Sequence, residues 1–241
     1  MTTEAEKFMR KESKGMNEIY KKMAKENLIP RLGGGFLALA LGGVVFWTQD
    51  AEAIKHGDIY SGDIIWGIAS IIIIIIGIYH IIVYVTGAYK KNFIKLMESN
   101  RISEYVLSSD MAGAASLADG SVDVGEKYII LYAMKPAVFL LENLVWAYSS
   151  TNVTNYRVGG FIPAGKSATH KIIMIDRNHN KGEIEVKNEE AQREILAVLE
   201  RKVPFMILGY DNQLLAMEKT DFAQMVRMVD ERKTTTSQEN I

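Results

Sequence analysis

The sequence predicts an α+β protein in which a hairpin of two transmembrane helices, residues 32–48 and 64–89, is followed by a small antiparallel β domain with flanking helices. Leu32 to Thr48 is seventeen residues without a charge, and Ile64 to Tyr89 is twenty-six. At about 1.5 Å of rise per residue, the second stretch exceeds a hydrocarbon core of roughly 30 Å and the first lies near the lower limit. Beyond residue 100 the pattern changes to short alternating segments bounded by Gly, Pro, Asn and Asp, with strands ahead of helices, which is the order of an α+β domain and not of a βαβ sheet.

Charge orders the segments across the bilayer. Residues 1–31 carry eight Lys/Arg against five acids, residues 49–63 one against four, and residues 90–101 four against one. The positive-inside rule then puts both termini in the cytoplasm and the loop 49–63 outside, the location of a multi-pass plasma-membrane protein. Ala51-Glu52-Ala53 after the first apolar run imitates a signal-peptidase site, but a charged leader of thirty-one residues is too long for an n-region. Residues 1–31 are expected as a cytoplasmic amphipathic segment. In it Met16, Ile19, Tyr20, Met23 and Leu28 follow helical spacing, with Lys21, Lys22 and Lys25 among them. Residues 90–232 are expected as a cytoplasmic α+β domain and 233–241 as a disordered tail.

Gly34, Ala38 and Gly42 recur every four residues in the first span. They set small side chains on one helix face, where the second span or another copy can approach closely. The Ile71–Ile76 run is β-branched, yet in lipid only a helix satisfies its backbone internally. His80 is an ionisable group within a span and so a functional candidate, weighed against a histidine that bonds a neighbour near the interface.

In the following domain a helix is expected over 101–118, ending at the turn signal Asp119-Gly120. Strands are expected over Lys127–Met134 and Ala137–Ser149, broken by Pro136, then a polar loop over 150–168. Thr169–Arg177 and Gly182–Lys187 read as a hairpin around the turn Asn178–Lys181. Asn188 can cap a helix to Lys202 whose apolar stripe is Ile195, Leu196, Val198, Leu199 and Val203. A short strand at Phe205–Leu208 and a helix over 213–231 complete the expectation.

Two motifs imitate ligand sites. Gly160-Phe-Ile-Pro-Ala-Gly165-Lys166-Ser167 matches the phosphate-loop pattern, which requires a helix straight after the serine so that its amides cradle phosphate. Here Ala168–Asp176 alternates as a strand. Asp176-Arg-Asn178-His-Asn180 opens like a calcium loop, but Lys181 and Lys187 stand where the turn glycine and the closing glutamate belong. The chain has no cysteine, which excludes disulfides, thiolate metal sites and cysteine nucleophiles. His56, His170 and His179 show no metal spacing, and no cofactor is expected.

Asn143-Leu144-Val145-Trp146-Ala147-Tyr148, the Lys171–Arg177 and Gly182–Lys187 hairpin, and Glu190–Lys202 followed by Pro204-Phe-Met-Ile-Leu-Gly209-Tyr210 together resemble a bacterial family of uncharacterised two-span membrane proteins. The resemblance implies a cytoplasmic part like a pleckstrin-homology barrel with appended helices, and no catalytic motif. Trp146 and Tyr148 share one strand face and are expected to pack core.

These readings favour a non-enzymatic module anchored in the lipid bilayer, whose cytoplasmic domain engages a protein partner or forms a homo-oligomer. Residues 102–241 carry fifteen Lys/Arg against nineteen acids, a poor balance for nucleic acid. The first alternative is lipid-headgroup binding at the inner membrane surface by Lys166, His170, Lys171, Arg177 and Lys181. The second is nucleotide binding at Lys166.

Overall fold

A computed structural model describes the backbone of residues 4–50, 61–158 and 162–239, and the side chains of 15–48, 64–155 and 165–235. The expected outer loop, with Ala51-Glu52-Ala53 and His56, lies largely outside the described residues. The chain forms two compact units, residues 20–95 and residues 1–19 with 96–241.

In the unit 20–95, helix α1 (Glu4–Asn27) continues through a π-helical turn, Leu28–Gly33, into α2 (Gly34–Val45) and a second π-helical turn, Phe46–Asp50. The first wide turn contains Pro30, which has no N–H to donate and whose ring would clash in a regular helix. Buried Asn27 sits beside it, donating from Nδ2 to the Met23 carbonyl at 2.9 Å and accepting from Arg31 Nε at 2.7 Å. Helix α3 (Ser61–Val85) follows, then Gly87 at φ +63° ends the run before α4 (Ala88–Ser99). The predicted second span therefore stops four residues short of Tyr89. Gly15–Thr48 and Ile64–Val85 are both long and apolar enough to cross a membrane.

Helices α2 and α3 pack through glycine. A Cβ on Gly35 would lie 2.8 Å from Ile81 Cγ1 and 2.9 Å from the Gly77 carbonyl, and one on Gly42 would lie 2.7 Å from Ile74 Cγ1. Gly77 is equally tight, 2.8 Å from the Gly35 carbonyl. The contact face thus differs from the predicted Gly34, Ala38 and Gly42. Gly42 belongs to it, Ala38 is half-buried, and nothing lies near a Cβ on Gly34. A seven-residue step drifts only about 20° around a helix, whereas two four-residue steps drift further, so Gly35 and Gly42 share a face that Gly34 leaves.

In the other unit, a Cβ on Gly15 would lie 2.9 Å from Ser108 Cβ, so α1 crosses α5 (Glu104–Met111) closely. The helix expected over 101–118 is shorter than predicted. It gives way to strand β1 (Ala115–Leu117), and Ala118 and Asp119 adopt positive φ. Strands β1, β2 (Val122–Val124), β3 (Tyr128–Leu131) and β4 (Ala137–Leu140) form an antiparallel meander, sheet A. A turn at Leu141–Asn143 separates β4 from β5 (Leu144–Val158), where one strand was expected. The second sheet has the order β7 (Lys181–Val186), β6 (Ile162–Asp176), β5, β8 (Ile207–Leu208), with β8 parallel to β5. The two sheets share no hydrogen-bonded ladder among the described residues, so the strands do not close into the barrel that the resemblance implies.

Sheet B is buried on both faces at its base. Leu144, Ala147, Ile172, Met174, Ile184 and Val186 face sheet A and helix α6 (Glu189–Lys202), which contributes Ile195 and Leu199. Val145, Trp146, Tyr148, Ile173 and Ile175 face the opposite way, toward α7 (Asn212–Thr220) and α8 (Phe222–Glu239). A bulge between Leu144 and Trp146 resets the alternation, so Val145 and Trp146 both reach the second face. Asp221 separates α7 from α8, where one helix was expected, and its carboxylate accepts from Gln224 N at 3.1 Å. Helix α8 continues to Glu239 through residues expected to be a tail.

On sheet A, Tyr132 donates its hydroxyl to Asp123 Oδ2 at 2.8 Å, and both side chains are buried. Burial, with the Asp123 carboxylate beside it, holds the Tyr132 phenol far above its usual range.

Two outcomes follow from these contacts. Gly35→Leu lowers the thermal stability of the detergent-solubilised chain by overpacking worth about 1–3 kcal/mol, while Gly34→Leu leaves the melting temperature unchanged. Because an unfolded tyrosine ionises near pH 10 and folded Tyr132 does not, the stability its neutral form confers is present below about pH 10 and falls as pH rises further. In denaturant titrations Tyr132→Phe makes that alkaline decline shallower, and it costs about 1–3 kcal/mol at pH 8 because Asp123 loses this donor.

Candidate functional site

Of the loop expected over 150–168, residues 150–158 and 162–168 instead form the outer half of a two-stranded ribbon. Strands β5 and β6, fifteen residues each, run on past their partners: β8 pairs β5 only at Trp146 and Ala147, and β7 pairs β6 only over His170–Ile175. Thr151, Val153 and Thr154 favour extended backbone, which single-residue turn signals in this polar stretch conceal. Thr151–Asn155 and Gly165–Ala168 are exposed.

The root of the ribbon is clamped by Gln192, a buried residue on α6. Its Nε2 donates to the Ser150 carbonyl at 3.2 Å and the Lys171 carbonyl at 2.9 Å, and Thr151 Oγ1 reaches its Oε1 at 3.5 Å. Asn188 caps that helix, accepting from Ala191 N at 2.9 Å, with Glu189 and Glu190 in the first turn and Arg201 and Lys202 in the last. The capped helix fixes where Gln192 sits. Sequence reading passed over Gln192 because a glutamine within an apolar stripe gives no signal until its cross-strand carbonyls are known.

The five basic candidates are not brought together. Lys166 pairs across the ribbon with Asn155, and His170 Nδ1 lies 3.1 Å from Thr151 Oγ1. Lys171 points to the other face and bonds Glu183 Oε1 at 3.2 Å. Arg177 is ion-paired with Asp230 on α8. Lys181 opens β7, opposite Ile175. From Lys166 to Arg177 the chain covers roughly 36 Å at about 3.3 Å per residue, too far for one headgroup.

The decoy motifs find ordinary places. Gly165, Lys166 and Ser167 lie in strand β6, so the chain continues as strand where a phosphate loop requires a helix directly after the serine. The Asp176 carboxylate is consumed by its own turn, accepting from Asn178 N, Asn180 N and Asn180 Nδ2 at 2.8–2.9 Å. His179, at φ +62°, stacks on Phe222 at 4.3 Å and meets Glu218 Oε1 at 3.0 Å, docking the turn on α7 and α8. Among the described residues no three histidines or carboxylates gather as a metal site.

A second conspicuous polar arrangement is also internal. The Asp110 carboxylate accepts from the successive amides of Glu126, Lys127 and Tyr128 at 2.9–3.1 Å, an anion nest already filled by the chain's own carboxylate. Burial, then Asp110 and Glu142, raises the Tyr128 phenol above its usual range. Trp146 and Tyr148 stack at 4.2 Å in the core, and Trp146 Nε1 donates to the Gly209 carbonyl at 2.8 Å. Tyr148 is pushed upward by burial first, then by Glu218. In α3, His80 meets Tyr79 edge-on at 5.7 Å, and its buried Nδ1 has no partner among the described residues. A polar cleft of about 180 Å³ is lined by Asn100, Arg101, Tyr128, Asn143 and Asn178. Ser99 and Asp176 also line it, and the Asp176 carboxylate there accepts from the amides of its own turn.

The profile of a domain of unknown function, DUF6709, matches residues 87–218. The match begins at the glycine break after α3 and ends within α7, so it takes in both sheets, the ribbon and α6. No curated protein and no solved structure matches the chain.

Gln192→Leu is expected to take a side-chain donor from two strand carbonyls and to leave the β5–β6 root without its clamp. In hydrogen exchange, the amides of Asn152 and Thr154, which point to β6, then exchange faster, while those of Ile172–Ile175 keep their protection and the domain loses about 1–3 kcal/mol.

Proposed function

The chain belongs to the DUF6709 family, whose function is unknown, and from that premise we propose that it is a non-enzymatic assembly module held at a membrane. Its two apolar helices form the anchor, and the domain of residues 96–241 does the binding, to a protein partner or to further copies of itself. The observation that carries this reading is the ribbon. A two-stranded hairpin is marginal in water by itself, yet this one extends well past the sheet that supports it, with no strand paired to either edge beyond Ala147 and His170 among the described residues and Thr151–Asn155 exposed. Such an extension has a ready use in offering backbone hydrogen bonds to another chain.

The charge pattern supports an orientation with both ends of the chain on the cytoplasmic side, since Lys/Arg flank the apolar helices at residues 1–31 and 90–101 while acids dominate 49–63. A likeness of the domain to pleckstrin-homology folds would be one of strand content and flanking helices, without barrel closure. Headgroup recognition is the weaker reading, because Lys171 and Arg177 are already paired with Glu183 and Asp230.

The test is the mass of the full-length chain purified in mild detergent from its native membrane. Light scattering is expected to give more than one chain per particle, or a stoichiometric protein partner. A bare monomer, with cross-linking in intact membranes also blank, would remove the reading.

A further inference from the structure

We infer that the free edge of β5 is a self-pairing surface, and that two copies join by antiparallel addition of β5 to β5 about a two-fold axis at Val153. The inference rests on the assembly reading above and names its partner, a second copy of this chain.

The direction of the backbone groups comes from β8. Gly209 N donates to the Ala147 carbonyl at 3.0 Å, so Ala147 turns its peptide groups toward β8 and away from β6. Between Trp146 and Tyr156 the β5–β6 register has no shift, so residues alternate strictly along this stretch. Ser149, Thr151, Val153 and Asn155 therefore direct N–H and C=O to the same side as Ala147, and β8 ends before reaching them. No strand pairs with that side of β5 beyond Ala147 among the described residues.

The composition of this edge suits a second copy. Natural edge strands carry charges, prolines or bulges that keep other strands off. The β6 side of the ribbon has Pro163, Gly165 and Lys166, and Lys166 would meet its own copy in a symmetric pair. Ser149–Asn155, Ser-Ser-Thr-Asn-Val-Thr-Asn, has no charge, no proline and no glycine. A two-fold contact sets equivalent groups against each other, so a charged edge repels itself and an uncharged one does not. Val153 is the apolar residue of the stretch and is 53% exposed. With the axis at Val153, it faces its own copy, Thr151 faces Asn155 of the other chain, and Asn152 faces Thr154. All the outward amides and carbonyls of Thr151, Val153 and Asn155 then find partners.

The chain has no cysteine, so a single introduced thiol reports the register. In the full-length chain in membranes, mild oxidation of Val153→Cys is expected to give a disulfide-linked dimer roughly tenfold faster or more than Glu194→Cys, an exposed control on α6, because pairing raises the local thiol concentration. Val153→Pro removes an outward amide without touching the β5–β6 ladder and is expected to dissociate the dimer in detergent. Val153→Lys and Val153→Glu chains are each expected to be monomeric alone and to form a mixed dimer when combined, which a fold defect would not allow. Cross-linking of Val153→Cys no faster than the control would overturn the inference. If complexes form nonetheless, the assembly reading stands without it, and a partnerless monomer throughout removes both.

Discussion

The long ladder between β5 and β6 is the constraint on which the rest of the 96–241 unit depends. Its inner half must bury both faces, because Ile172 to Ile175 is an unbroken apolar run with no polar side to turn outward. One face therefore takes sheet A and α6, and the other takes α7 and α8. The bulge at Val145 lets Trp146 and Tyr148 stand together on the second face while Leu144 and Ala147 stay on the first. The same strands then leave the core, and Thr151–Asn155 and Gly165–Ala168 are exposed, with Ser, Thr and Asn in place of the apolar run.

Buried polar groups in this unit are tied to specific neighbours, and this explains why so many apparent sites are spoken for. Asp176 closes its own turn, Tyr132 answers Asp123, Gln192 answers two strand carbonyls, and half-buried Asp110 fills its own amide nest. A buried donor or acceptor left without a partner costs about 1–3 kcal/mol, so each of these bonds holds one element against another. Gly125 reflects the same pressure, since a Cβ there would collide with the Asp110 carboxylate. Among the described residues, the β8 side of β5 beyond Ala147 has no paired strand, and the proposed assembly would use that edge.

The unit of residues 20–95 solves a different problem with different residues. Here the close approach of α2 and α3 comes from Gly35, Gly42 and Gly77, and the large apolar side chains point outward. Phe36, Leu37, Leu41, Ile68, Ile72 and Ile75 are all exposed, on helices long and apolar enough to cross a membrane. Pro30 is accommodated by a wide turn that joins α1 to α2.

By itself the sequence determined the elements whose signals are local. The two apolar helices were legible from charge-free length, the β6–β7 hairpin from alternation around Asn178–Lys181, and α6 from the Asn188 cap and its apolar stripe. Local too was the misfit of Lys166 and Asp176 to ligand loops, since a strand or hairpin pattern follows each motif directly. Tertiary structure alone decided which small residues face the neighbouring helix, because Gly34 and Gly35 differ only by a rotation that the partner selects. Likewise, only the fold showed that residues 150–158 and 162–168 are a ribbon, since strand pairing is a contact between distant residues and polar strands lack the hydrophobic period that reveals buried ones. The basic residues looked like a cluster when written on one line, and an extended strand that alternates its faces drew them apart.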